Sequence, residues 1–254
     1  MKKIYTILLL TVFLFHGQLF SQDTIRIGSK TYVKAHWSGF LNVGGFIQKG
    51  NTDKIYAVSS GEIKRADGIL ESIAFVSLGY GESDGIKDDN ELSSSLTFDL
   101  FYDNVLSPFI LQLTGFSFAR EIDLRSQSGG GLKYTFSNIP EFKSSISAAG
   151  IYDYTNLSDK PGNTDSRTWR ISARFKFKSS LFGGRINISH VTFYQPSFNN
   201  FKNAIWWSET GLETPITDFL NLNATYNITH EDVVPAGVKK TDQKLTFGLG
   251  IEFK

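Results

Sequence analysis

The sequence predicts an all-β fold: a closed antiparallel β-barrel of about 12 strands in up-and-down meander order. Three observations predict it. Apolar and polar residues alternate with period two in run after run from residue 37 to the C-terminus, the spacing at which strand side chains reach opposite faces. Turn signals rich in Gly, Asp and Asn separate the runs. The 254-residue chain holds 23 Gly and 22 Phe, is 14% aromatic and has only 6 Pro, which suits strands joined by tight turns.

The elements follow in order. Lys2 and Lys3 precede an apolar run from Ile4 to Phe15, then a polar stretch with a small residue at Ser21. This is the layout of a secretory signal peptide over residues 1–21, and its apolar run is shorter than the ~20 residues of a spanning helix. Residues 22–36 form a short periplasmic N-terminal segment, and 37–254 form the barrel. The strands run over 37–48, 54–66, 69–81, 89–102, 108–122, 128–136, 143–154, 166–178, 183–196, 205–214, 219–232 and 241–253. Two break parity. Leu111 and Leu113 share a phase that Phe116 and Phe118 leave, which predicts a bulge near Gly115. Ile188 and Val191 predict a similar slip.

Alternation by itself does not say which face is inside. The segment TWRISARFKFK, Thr168 to Lys178, poses the problem: Trp169, Ile171, Ala173, Phe175 and Phe177 share one face, and Arg170, Arg174, Lys176 and Lys178 the other. A cation on a lipid-facing position at mid-bilayer costs about 2–4 kcal/mol. The connections break the tie. The odd-numbered ones average longer and include the longest, Thr155 to Asp165; the even ones are mostly tight turns, although the sixth, SNIPEF, is long. Long loops at one rim and short turns at the other characterise outer-membrane barrels. Trp169, Phe177, Tyr102, Phe136, Tyr194, Phe247 and Phe253 lie towards strand ends, as in aromatic girdles. The ending TFGLGIEFK places Thr246, Gly248, Ile251 and Phe253 in the pattern of a C-terminal barrel-assembly signal, with Lys254 departing from the usual terminal aromatic. The apolar face therefore meets lipid, and Asp99, Arg170, Arg174, Lys176, Asn223, Asn227, Lys244 and Glu252 face the lumen. The expected setting is the bacterial outer membrane, with membrane lipid and the barrel assembly machinery as partners.

Composition excludes several classes. With 26 basic against 25 acidic residues, the charge gives no case for nucleic acid. No cysteine is present, so disulfides, thiolate metal sites and a lipoprotein anchor are ruled out. His190 shares a face with Thr192, and His230 with Asp232, but no GxSxG or HxS accompanies them, and a nucleophile needs a base within reach. Glu82, Asp84, Asp88 and Asp89 lack EF-hand spacing and read as a solvated loop. Gly129, Gly130 and Gly131 open a strand and not a helix, which reads as backbone room and not a phosphate loop. No catalytic residue, metal or cofactor is expected.

Three segments resemble the YdiY-like salt-induced outer membrane protein family: Gly50-Asn51-Thr52, RSQSGGGLKYTF at Arg125 to Phe136, and VPAGVKKTDQKLTFGLGIEF at Val234 to Phe253. The resemblance spans about residues 37–254. It implies an outer-membrane β-barrel and brings no catalytic residue or ligand. The expected role is a narrow channel for a small solute or ion, or an envelope-stress structural barrel. The alternatives are an outer-membrane lipid-acting enzyme and a soluble periplasmic β-barrel holding an apolar ligand.

Overall fold

The structure, a computed structural model, describes residues 24–27, 30–33, 35–48, 50 and 53–253. The expected signal peptide lies outside the described residues, as do Asn51 and Thr52. The N-terminal segment contains a hairpin, β1 (Thr24–Ile27) and β2 (Lys30–Val33), in register from Thr24↔Val33 to Ile27↔Lys30.

The second unit is the barrel. Its strands are β3 (His36–Gln48), β4 (Lys54–Ala66), β5 (Leu70–Ser83), β6 (Ile86–Leu100), β7 (Leu106–Ser117), β8 (Ile122–Ile139), β9 (Phe142–Leu157), β10 (Ser166–Leu181), β11 (Ile186–Pro196), β12 (Ala204–Pro215), β13 (Leu220–Glu231) and β14 (Thr241–Phe253). Each pairs antiparallel with its chain neighbours, and β14 closes on β3 from Phe253↔Gly39 to Phe247↔Gly45. Closure pairs the edge strands that an open sheet would leave exposed. At the seam the Phe253 ring lies where a Cβ on Gly39 would sit, so this pair needs glycine.

The twelve expected strands are all present, and the turns explain their ends. Asp84 and Gly85 have φ of 51° and 76°, the left-handed pair of a two-residue hairpin turn. Asp67 folds the β4–β5 turn by accepting from the backbone N–H of Leu70 at 2.8 Å and of Ile69 at 3.1 Å. The Leu70 bond, with those from Ile69 and Arg65, holds its carboxyl below the usual carboxylate range. The sixth connection is not long: β8 and β9 continue to Ile139 and from Phe142, because Asn138 and Ile139 complete the ladder with Lys143 and Phe142. One rim therefore carries 50, 53, 84–85, 118–121, 158–165, 197–203 and 232–240. The other, the turn rim, carries 67–69, 101–105, 140–141, 182–185 and 216–219, together with both ends of the barrel.

The Gly115 bulge is present as a register shift between Gly115 and Ser117 against β8. The slip at Ile188 and Val191 is not. β11 keeps unbroken register with both neighbours, and Val191 points into the lumen with Phe193, on the opposite face from Ile188. Parity misled because the lumen holds aromatic side chains: Phe193 packs on Trp207 with ring centroids 5.5 Å apart. The glycine run also lies elsewhere than expected. It sits inside β8 and does not open it, because β8 starts at Ile122. A Cβ on Gly129 or Gly131 would overlap the carbonyl oxygen of Gly150 or Ala148, so the wall turns there in a way only glycine permits.

Facing follows from pairing. Trp169 is 60% exposed and the adjacent Arg170 is 6%. Carried round the ring through the registers, this places Leu41, Val43, Leu222, Leu245, Leu249 and Ile251 outward, all exposed. Of the expected girdle, Trp169, Tyr194, Phe136, Phe177 and Phe253 point outward near strand ends. Phe247 is mid-strand, and Tyr102 lies in the β6–β7 turn. The apolar surface is thus on the outside and the interior is polar, the reverse of a water-soluble barrel.

Candidate functional site

The lumen is built from the inward positions of all twelve strands, and its charges meet across it. Near the loop rim, Glu231 on β13 is held by two arginines. Arg125 on β8, from the far side of the ring, donates through Nη1 and Nη2 to Oε1 and Oε2 at 2.8 and 2.7 Å. Arg120, in the β7–β8 turn, donates to Oε1 at 2.9 Å and reaches Asp242 on β14 at 2.7 Å. Such two-pronged charge-assisted bonds are the strong, directional kind.

A second knot lies beside it. Asp153, 1% exposed, accepts from Arg170 Nε at 2.6 Å. Arg170 also donates to the carbonyl oxygens of Gln195 at 3.1 Å and Asn203 at 3.0 Å, which ties the 197–203 loop to the wall. Gln127 donates to Gln195 at 3.3 Å. On the other side, Lys244 donates to Asp89 at 2.7 Å and Glu91 at 2.6 Å, with its ammonium 5.4 Å from the Tyr56 ring centre. Of these contacts, Arg125–Glu231 and Lys244–Asp89 cross the lumen near the loop rim, and Arg170–Asp153 braces neighbouring strands.

Nearer the turn rim the lumen is less crossed. Lys133 reaches Asp99 at 2.5 Å, and Lys64 pairs with Glu71. Arg174 donates from Nε to Ser147 Oγ at 3.0 Å and sits 5.4 and 5.9 Å from the ring centres of Phe109 and Phe193. The sequence profile of DUF481, proteins of unknown function, matches residues 41–253, which takes in β4 to β14 and most of β3. The chain belongs to the DUF481 family. The YdiY-like resemblance points to the same family.

Solved structures similar to this DUF481 barrel are outer-membrane barrels. The NanC porin aligns with a TM-score of 0.52 at 12% identity, covering 85% of this chain and 99% of that one. The KdgM porin aligns with a TM-score of 0.45 at 7% identity, covering 85% and 99%. The channel DcaP of Acinetobacter baumannii aligns with a TM-score of 0.41 at 8% identity, covering 87% and 97%. No curated protein matches the chain significantly. Identities this low speak to fold alone.

The DUF481 barrel places the eight expected lumen residues on its inward face. Asp99, Arg170, Arg174 and Lys244 join the contacts above. Asn223 donates to Asn42 at 3.2 Å, and Asn227 accepts from Thr229 at 3.3 Å. Lys176 and Glu252 point inward nearer the turn rim. Of the four assembly-signal residues, Thr246 and Gly248 face inward and Ile251 and Phe253 outward. Sequence reasoning missed Arg120, Arg125, Asp153 and Glu231, which form the main crossing. Glu231 had a signal, since it continues the polar phase of its strand from Asn221 to Thr229; Asp153 had a weaker one, because Ala149 and Ile151 precede it on the same face. Arg120 had none, because it lies in a turn where parity has no meaning.

The other candidates separate. Glu82 bonds Tyr80, Asp84 accepts from the Asp53 N–H at 2.8 Å, Asp88 from Ser83 at 2.5 Å, and Asp89 turns inward. They do not converge on one point. His190 Nδ1 meets Thr210 Oγ1 at 2.9 Å on the outer face, and Thr192 accepts from Trp206 Nε1 at 2.9 Å. His230 lies between Thr241 Oγ1 at 2.7 Å and Asp232 Oδ1 at 3.4 Å. Both His–Thr contacts join direct cross-strand partners, so the ladder alone brings them together.

Proposed function

We propose that this DUF481 protein is an outer-membrane barrel that forms a narrow, charge-lined channel, constricted near its loop rim. One observation carries the reading: an apolar exterior encloses a lumen whose ion pairs run from wall to wall, as in Arg125–Glu231 and Lys244–Asp89. The exterior suits hydrocarbon, where a closed barrel satisfies its backbone internally. The interior suits water and ions. Twelve strands lie between small barrels filled by side chains and the wide aqueous pores of 16 or more. The porin description of a structure sharing the fold is consistent with conduction.

In this reading both barrel termini and the turn rim face the periplasm. The loop rim faces outward, residues 1–21 direct export, and Thr246, Gly248, Ile251 and Phe253 are read by the assembly machinery. The role is transport and not catalysis. A second reading, a lipid-acting enzyme, draws only on the outward row Thr241–His230–Asp232, and it is weaker because a threonine stands where a serine nucleophile would serve.

The test is purification of the full chain in detergent, with heat-modifiable gel migration and planar-bilayer recording. Heat-modifiable protein with small, discrete conductance steps is expected. A folded barrel that passes no current at any voltage overturns the channel reading, and phospholipid hydrolysis abolished by His230→Ala would favour the enzyme.

A further inference from the structure

The lumen wall nearest the turn rim carries a row of cations that no carboxylate among the described residues meets at salt-bridge distance, although Asp99 acts on Arg174 from further off. Lys178, Lys176 and Arg174 occupy successive inward positions on β10, with Lys143 on β9 as the cross-strand partner of Lys178. Alternate strand residues lie about 6.6 Å apart along the strand, so the row climbs inward from the mouth in regular steps. Elsewhere the inward cations are matched: Arg120, Arg125, Arg170, Lys64, Lys133 and Lys244 each have a carboxylate within salt-bridge distance. Among the described residues, no carboxylate lies within that distance of Lys143, Lys176, Lys178 or Arg174. The acids that act on Lys176 do so at longer range, from Glu62 and Glu71 on the opposite wall, and Glu71 is already engaged by Lys64. The row ends where Asp153 closes on Arg170.

Arg174 is held differently from the lysines. Its Nε is taken by Ser147, and two phenyl rings flank the guanidinium. Both Nη groups have no protein acceptor among the described residues. A guanidinium anchored in this way presents a planar fork suited to carboxylate or phosphate. Like charges grouped in a confined lumen repel unless an anion joins them.

We infer that Lys143, Lys178, Lys176 and Arg174 form a binding track for a small solute bearing two or more carboxylate or phosphate groups, entering from the turn rim. The lysines at the mouth attract the anion, Lys176 bridges it inward, and the Arg174 fork fixes its leading group below the Arg170–Asp153 contact. This rests on the channel reading for access to the lumen, but binding itself does not require conduction.

The test uses the full chain in two formats. Calorimetric titration of the detergent-folded barrel with citrate and, separately, with pyrophosphate measures binding. Planar-bilayer recording in a KCl gradient measures selectivity, with the same anions added as blockers. Wild type is expected to bind at least one of the two and to prefer chloride over potassium. Lys176→Gln/Lys178→Gln is expected to weaken binding at least tenfold and to shift the reversal potential towards potassium, while the loop variant Lys202→Gln behaves as wild type. Citrate binding alone assigns a carboxylate ligand, and pyrophosphate binding alone a phosphate one. Neither anion binding, or equal binding by the double variant and wild type, overturns the track. Binding without conductance leaves the track standing and removes the channel reading. Gel migration verifies folding, and if the double variant fails to fold, Lys178→Gln at the mouth carries the same comparison.

Discussion

Removing the Glu231 carboxylate tests the crossing on which the channel reading depends. Glu231 accepts three charge-assisted bonds, two from Arg125 and one from Arg120, and its side chain is almost fully buried. Glu231→Ala takes from Arg125 its two-pronged partner and leaves Arg120 with Asp242 as its carboxylate. Breaking a buried pair by deleting one partner costs about 3–5 kcal/mol. Arg125→Ala should cost less, since Glu231 keeps Arg120 and Arg120 keeps Asp242. The double variant should fall short of the sum, with a coupling of about 1–3 kcal/mol. Urea unfolding of the vesicle-inserted barrel, followed by tryptophan fluorescence, measures these differences; Trp207 lies inside the lumen and reports on it directly. Single-channel recording of Glu231→Ala should show a larger conductance, because the contact spans opposite walls. Additive losses with unchanged conductance would refute the reasoning, since they would mean that Arg125 and Glu231 do not meet across the lumen.

Leu249→Arg should reduce assembled protein far more than Gly250→Ala. Leu249 is 50% exposed on the outer face, where arginine costs about 2–4 kcal/mol at mid-bilayer, whereas a Cβ on Gly250 displaces the side-chain amides of Asn42 and Asn221, which can turn away, and overlaps no backbone among its nearest atoms; equal yields on a heat-modifiability gel would count against the assigned faces. Cysteines at Ile171 and Phe175 should react with a lipid-soluble probe more than cysteines at Ser172 and Arg174, and the opposite order would invert β10. An epitope inserted after Gly162 should be reached by antibody on intact cells and one after Asn104 should not; the reverse pattern means that the barrel is inserted the other way. Asp67→Ala should loosen the β4–β5 hairpin at neutral pH. The Asp67 carboxyl is depressed chiefly by the Leu70 N–H, so its contribution is present above the ordinary carboxylate range and lost as pH falls through the depressed value. Wild type and variant should therefore converge in strong acid, as read by amide exchange at Leu70.

Period two is a local property, so the sequence by itself determined the strands, their number and the division of each into a greasy and a polar side. The alternation in TWRISARFKFK needs no partner to be seen, and the 2–4 kcal/mol penalty on a lipid-facing cation turns that alternation into an orientation. Where lumen side chains are themselves apolar, as at Val191, Phe193 and Trp207, the local rule failed, because what they pack against is not written in their own strand. Closure of the ring decided which acid meets which cation across the lumen. Arg125 and Glu231 are 106 positions apart in the chain, and they touch because the registers set the height of each residue on its wall and the ring brings β8 opposite β13. Arg120 enters the same contact from a turn, where no periodicity exists to announce it. For the same reason, Arg170 and Lys176 look alike in sequence, two inward cations on one strand. The tertiary structure alone gives the first Asp153 and leaves the second facing an open lumen.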